Sequence, residues 1–116
     1  PWQVIFGNRL NHAAGLAPQI DICLADFNDL PLASECVDGA YAIESSCYGK
    51  GAAKKEFISE LYRTLKPGAR FVITDGFRKH SKPLPKWLEK VYRKNMEYWA
   101  LTELADIQLF VKNIFV

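Results

Sequence analysis

Three carboxylates stand where apolar runs give out: Asp26 after Ile20 to Leu24, Glu44 after Val37 to Ile43, and Asp75 after Arg70 to Thr74. In an open α/β sheet, ligands bind beyond the carboxyl ends of the strands. An acid at such a tip can accept hydrogen bonds from an exocyclic amine or a hydroxyl, or attract a cation. Polar residues also simply begin loops, so each acid taken alone has a structural reading beside the functional one. Gly49-Lys50-Gly51 lies between a strand and a helix, where a phosphate-cradling loop would sit. Its spacing is only G-x-G, and the next glycine position of the fingerprint holds Lys54, so a flexible loop before a helix is expected. Cys23, Cys36 and Cys47 form no C-x-x-C, and His12 and His80 lie far apart, so neither a metal site nor a disulfide framework is expected. Three free thiols fit a reducing, cytoplasmic compartment.

The other local feature is basic and aromatic. Arg78, Lys79, Lys82, Lys86, Lys90, Arg93 and Lys94 are interleaved with Phe77, Trp87, Leu88, Val91, Tyr92, Tyr98 and Trp99. Two readings stay open. A basic amphipathic helix with aromatic anchors lies on an anionic membrane surface, which would give peripheral contact through residues 78–94. The same letters also describe a solvated face over a packed aromatic core.

The elements that must position these groups follow from pattern. The chain has 116 residues, enough for one domain with a modest core. Fifteen Lys and Arg against thirteen Asp and Glu leave a formal charge of +2, which excludes a strongly basic nucleic-acid binder on global grounds. A hydrophobic share of 49% with 24% charged residues is that of a folded globular protein. The apolar stretches are a few residues long, too short for a membrane-spanning helix. Residues 2–14 read as a helix stopped by Gly15. Ile20 to Leu24 is a short β-prone run, residues 27–36 a loop, and Val37 to Ile43 a second strand. Such apolar strands suit a parallel sheet covered on both faces. Ala52 to Leu65 is the clearest helix, with Phe57, Leu61 and Leu65 at i, i+4, i+8. Lys66-Pro67-Gly68 ends it, and Arg70 to Thr74 is the clearest strand. An aromatic-rich helix is expected over Lys86 to Trp99, and a last helix from about Thr102 to Ile114. Alternation of this kind points to an α/β sheet with right-handed crossovers.

In this order the residues become recognisable. Pro1-Trp2-Gln3 opens a helix, and Ala25-Asp26 is followed by Leu30-Pro31-Leu32. Val37 to Ser45 reads VDGAYAIES, and Glu60 to Asp75 reads ELYRTLKPGARFVITD. Together they resemble class I S-adenosylmethionine-dependent methyltransferases, in the branch of sterol and tocopherol methyltransferases and cyclopropane fatty acid synthases. The likeness covers most of residues 1–76 and weakens over 77–116. It implies a partial Rossmann-like sheet with three recognisable strands, flanking helices and a helical C-terminal segment. Residues 1–76 would be the C-terminal part of the cofactor domain and 77–116 a substrate-side segment.

Carried over position by position, the resemblance implies S-adenosylmethionine as cofactor. Gln3 would reach its ribose, and Asp26 would accept from the adenine amine with the Phe27 backbone nearby. Glu44 is implied as the catalytic residue facing the transferred methyl group. Tyr48 stands where the family often carries histidine; it is assigned with Phe77, Trp87 and Tyr98 to the wall of an acceptor pocket whose aromatic content suits an apolar or lipid-like substrate. The family's glycine-rich loop after the first strand has no counterpart. In the family the third strand pairs with the second, so Ile20 to Leu24 would lack its neighbour in this chain alone. The expectation is therefore a part of a longer enzyme, inactive by itself. The competing expectation is a non-catalytic Rossmann-like remnant acting as a binding module.

Overall fold

The computed structural model describes residues 2–79, 82–101 and 104–114. Its order is α1 (Trp2–Ala13), β1 (Val37–Ile43), a 3-10 turn at Ser46–Tyr48, another at Ala52–Lys54, α2 (Lys55–Thr64), β2 (Leu65–Thr74), α3 (Lys86–Tyr98) and α4 (Ile107–Ile114). The two strands run parallel, joined through α2. Gly39 to Ile43 pair residue by residue with Arg70 to Thr74, while Val37 pairs with Leu65. The Lys66-Pro67-Gly68 segment is thus looped out inside β2 rather than lying before it. Gly68 takes φ 78° there, a conformation that costs other residues energy.

The core forms where β1, α2, β2 and α4 meet. Phe57, Ile58 and Leu61 on α2 and Phe110 on α4 are buried with Ala105. Ala40, Ala42, Phe71 and Ile73 pack against them from one face of the strand pair, as period-two alternation dictates. The other face is bare: Tyr41 is 80% exposed, and Ile43 and Val72 each 63%. A sheet covered on both faces was expected; among the described residues nothing lies over the second face. The radius of gyration is 16.7 Å, against about 13 Å for a compact domain of this length.

The described sheet has two strands where three were expected. Ile20 to Leu24 forms no ladder, because no strand lies beside it among the described residues. One side chain stands in for that strand. The Asn8 amide accepts from the Ile22 N–H at 2.9 Å and donates to the Ile22 carbonyl at 2.8 Å. Asn11 donates to the Ile20 carbonyl at 3.3 Å. These bonds hold α1, which has no buried residue of its own. Two helices are shorter than their sequence pattern. The segment Ala52–Lys54 is 3-10, with Ala53 and Lys54 at positive φ, so α2 begins only at Lys55. The last helix begins at Ile107, where Asp106 Oδ1 accepts from the Gln108 N–H at 2.8 Å and caps it; the expected start at Thr102 lies outside the described residues.

Replacing Asn8 with Ala should free residues 20–24 from α1. Hydrogen exchange of the Ile22 amide should then accelerate by at least roughly tenfold, while the Phe57 amide in the core keeps its protection. Equal rates at Ile22 in both forms would show that this side chain holds nothing.

Candidate cofactor and acceptor site

Everything at the carboxyl end of the strand pair converges on the loop that follows β1. It begins at Glu44, which turns sharply with φ 48°. Its N–H still donates to the Thr74 carbonyl at 2.8 Å, so the ladder continues one residue past β1. A non-glycine residue in the left-handed region stores strain, and such residues cluster where function requires them. Glu44 itself is exposed.

Opposite charges grip the next turn. Asp75, at the tip of β2, takes two donors on Oδ2: the Ser46 hydroxyl at 2.7 Å and the Cys47 N–H at 2.9 Å. Its Oδ1 accepts from the Gly76 N–H at 2.7 Å. Lys54, itself buried, donates to the Cys47 carbonyl at 2.7 Å. A carboxylate thus meets free N–H groups at the start of the 3-10 turn, and an ammonium meets a carbonyl within it, the arrangement the peptide dipoles favour. Burial pushes the Cys47 thiol above its ordinary pKa, with the Asp75 charge adding to the effect.

The loop then reaches Asp26. The Lys50 ammonium lies 2.7 Å from Asp26 Oδ2, and the Lys50 N–H donates to Asn28 Oδ1 at 2.8 Å. Asp26 Oδ1 in turn accepts from the backbone and side-chain amides of Asn28 at 2.9 and 2.7 Å. The hydrogen bond from Lys50 is the main reason the Asp26 carboxyl sits well below the usual carboxylate range, and Asn28 adds to it. The same bond raises Lys50. Gly49-Lys50-Gly51 is therefore a packed turn and not an open phosphate cradle. A Cβ at Gly49 would lie 3.0 Å from both Phe57 Cβ and the Ser46 carbonyl oxygen, and Gly51 holds φ 81°.

A second ion pair anchors the segment that carries Asp26. Arg63 on α2 donates to Glu60 at 2.6 and 2.8 Å, and to the Leu32 and Leu30 carbonyls at 2.7 and 3.0 Å. Glu60 Oε1 accepts from the Leu30 N–H at 2.7 Å. The Arg63 hydrogen bond, helped by that N–H, holds the Glu60 carboxyl below its ordinary range. The Leu30-Pro31-Leu32 string is thus clamped by its backbone.

The 44–51 loop thus carries Glu44 and Tyr48 and is tied at Lys50 to Asp26 and Asn28. Phe27 packs edge-on against Phe57, ring centroids 5.4 Å apart. Gln3 is exposed on α1, which is tied to the residues leading into Asp26. Phe77 turns the other way: its ring meets Phe110 at 4.9 Å and belongs to the core side. Tyr98 and Trp87 are 79% and 71% exposed, about 16 Å apart along the α3 axis. Tyr48 Oη reaches the Trp99 carbonyl at 3.4 Å, which brings the C-terminal end of α3 to the loop. No metal-holding cluster of His, Cys, Asp or Glu occurs among the described residues. Beside the loop lies a cleft of about 430 Å³, lined in part by Lys50, Lys54, Arg78, Leu104 and Leu109. Sequence reading passed over Asn28 and met Lys50 and Lys54 only as occupants of an incomplete glycine-loop pattern. The only signal for Lys50 was its place in a glycine-flanked loop directly after an acid-tipped strand.

A parallel pair with acids at its carboxyl tips and a clamped loop between them is the layout of a Rossmann-like ligand site. The methyltransferase-domain family model matches residues 4–73, and the chain belongs to that family. It is 42% identical over 74 residues to the methyltransferase phqN of Penicillium fellutanum, covering 60% of this chain and 22% of that protein. Over 67 residues it is 43% identical to sterol methyltransferase-like 1 of Botryococcus braunii, 57% of this chain and 16% of that one. Over 72 residues it is 35% identical to cycloartenol-C-24-methyltransferase 1 of Oryza sativa subsp. japonica, 62% and 20% respectively. The chain thus spans about a fifth of the length of these relatives. Its fold superposes with a TM-score of 0.78 on geranyl diphosphate C-methyltransferase from Streptomyces coelicolor A3(2), solved with Mg2+, geranyl-S-thiolodiphosphate and S-adenosyl-L-homocysteine. That match has 20% identity and covers 97% of this chain and 38% of the other. It establishes the fold as that of class I methyltransferases, with two strands rather than the three expected.

Two measurements check the site. In the wild type, carbon NMR should find Asp26 titrating below the ordinary carboxylate range; in Lys50→Met it should rise toward that range but stay below it, because the two Asn28 hydrogen bonds remain. The sign follows from the depressed value: the ion pair is intact at neutral pH and is lost as acid protonates Asp26, while at the alkaline end it is lost as Lys50 deprotonates above its ordinary value. Asp75→Ala leaves the buried Ser46 hydroxyl and Cys47 N–H without their acceptor. It should cost about 1–3 kcal/mol in urea unfolding, whereas Asp38→Ala at an exposed ion pair should cost under about 1 kcal/mol.

Proposed function

We propose that this chain supplies the adenine-side and acceptor-side half of an S-adenosylmethionine-dependent methyltransferase acting on an apolar, sterol- or terpenoid-like acceptor. The observation that carries the reading is the single loop, residues 44–51, that joins the tips bearing Asp26, Glu44 and Asp75. The residues present fit one side of the cofactor. Asp26 is an exposed carboxylate at a strand-end loop, able to accept from the adenine amine once Lys50 yields or shares Oδ2. Gln3 would reach the ribose, and the Phe27 backbone would flank the base.

The cofactor supplies an activated methyl group on a sulfonium. What the protein adds is alignment of the acceptor with the methyl–sulfur bond, worth several kcal/mol and up to ~10 in favourable cases. Glu44, exposed and fixed by its strained turn, would take the proton released on the acceptor or stabilise the positive charge that develops there. Tyr48, whose hydroxyl meets the C-terminal end of α3, would border the acceptor.

The chain acts in this reading as part of a longer domain. Supporting that are the bare sheet face, a helix α1 with no buried residue, and a radius of gyration of 16.7 Å. The cofactor's methionine end would be held by that remaining part.

Calorimetric titration with S-adenosylmethionine tests the reading. The 116-residue chain should bind weakly or not at all, and a chain extended upstream through a glycine-rich loop should bind. In the extended chain, Asp26→Ala should weaken binding by ~1–3 kcal/mol, roughly ten- to hundredfold. Glu44→Gln should abolish most turnover at unchanged cofactor affinity. Full activity in Glu44→Gln sinks its catalytic assignment, and unchanged affinity in Asp26→Ala sinks the adenine contact. A chain that binds no cofactor in either length would be a non-catalytic remnant.

A further inference from the structure

Helix α3 carries two apolar stripes, and only one of them meets the protein. Leu88, Tyr92 and Met96, spaced i, i+4, i+8, are half-buried. Tyr92 fixes this side inward: its hydroxyl accepts from the Leu104 N–H at 3.1 Å, and the Arg78 guanidinium lies 6.0 Å from its ring centre. Trp87, Val91 and Tyr98 follow at i, i+4 and i+11 and form the second stripe. Trp87 is 71% exposed, Val91 51% and Tyr98 79%, and no residue of α3 is buried. A solvated face over a packed aromatic core was one expectation; Phe77 and Tyr92 do turn inward, whereas Trp87 and Tyr98 lie open among the described residues.

Charge says what covers the stripe. Lys86, Lys90 and Lys94 line one edge of it at successive turns, with Glu97 the one acid on that edge, and the three lysines make no ion pair among the described residues. Arg93 is paired with Glu89 at 2.8 Å on the far side of the helix. A row of ammonium groups beside an exposed Trp–Val–Tyr stripe fits a bilayer surface, where the rings enter the interface and the lysines meet anionic headgroups. Helix α1 makes the contrast. It also exposes Trp2, Ile5, Phe6 and Leu10, yet its only basic residues are Arg9 and His12.

We propose that α3 docks in the plane of an anionic lipid bilayer through Trp87, Val91 and Tyr98, with Lys86, Lys90 and Lys94 on the headgroups. The docking does not depend on the methyl-transfer reading. If both hold, the C-terminal end of α3, which reaches Tyr48, places the acceptor side of the site at the lipid surface.

Vesicle binding decides it. The protein carries three tryptophans, so Trp2→Phe with Trp99→Phe leaves Trp87 as the only reporter. With vesicles of brominated phosphatidylcholine and ~30 mol% phosphatidylserine, Trp87 emission should shift to the blue and be quenched. Raising the salt from ~0.1 to ~0.5 M should release most of the protein. Lys86→Gln, Lys90→Gln and Lys94→Gln together should lower partitioning roughly a hundredfold. Trp87→Ala with Tyr98→Ala should lower it at least tenfold at unchanged helical circular dichroism, whereas Ile5→Ser with Phe6→Ser on α1 should leave it unchanged. Three outcomes overturn the proposal: equal binding to neutral vesicles, sedimentation without quenching of Trp87, or Trp87 shielded from aqueous acrylamide in the upstream-extended protein without lipid. The last would mean that the rest of the domain covers this stripe. Loss of methyl transfer with docking intact would fault the functional reading alone.

Discussion

The Asp75 carboxylate is the constraint on which the site depends. A loop leaving a strand tip has no ladder to hold it, and this one must both carry Glu44 and reach Asp26. Asp75 collects the Ser46 hydroxyl, the Cys47 N–H and the Gly76 N–H, and so fixes the first turn of the loop to the neighbouring strand. Lys54 grips the Cys47 carbonyl from the other side. With that turn fixed, Lys50 projects onto Asp26. Without it, the strain at Glu44 would relax and the three acids would no longer share one frame. The bonds to Ser46 and Cys47 are sheltered, so they are less weakened by water than the exposed Lys50–Asp26 pair.

The fold was legible where local pattern and tertiary burial agree. Helix α2 was readable because Phe57 and Leu61 repeat at the spacing that the core requires. The strand ending at Thr74 was readable from its β-branched and aromatic run. Ile20 to Leu24 is also mostly apolar and yet forms no strand, because a strand is a property of two segments and this one has no described partner. The first turn of α2 was misread because Ala53 and Lys54 are good helix formers, yet they adopt left-handed backbone to close a packed turn at Gly49. For the site, the acids were visible and their fasteners were not. Glu44 and Asp75 mark strand ends and Asp26 the end of an apolar run, a one-dimensional signal. Lys50 meets Asp26 across 24 residues, and no spacing rule reports that. The family resemblance singled out Asp26, while the clamp on Leu30 to Leu32 emerges only from Arg63 donating to the Leu30 and Leu32 carbonyls.

The architecture also separates two kinds of apolar surface. One face of the strand pair is satisfied by α2 and α4 and makes a core of its own. The opposite face, with Tyr41, Ile43 and Val72, has the composition of an interior and the exposure of a surface. The outward stripe of α3 differs from it in having cations at its edge.

Asn8 has a consequence of its own. By occupying both polar groups of Ile22, it keeps an isolated extended segment from offering a free hydrogen-bonding edge, the feature that invites a second copy to add on and polymerise. Any strand that later arrives must displace this amide bond for bond. Hydrogen-bond number is then conserved in the exchange, so the drive for completing the sheet has to come from the apolar area that it covers. Asn8 would serve as a placeholder that discourages wrong pairings without opposing the right one.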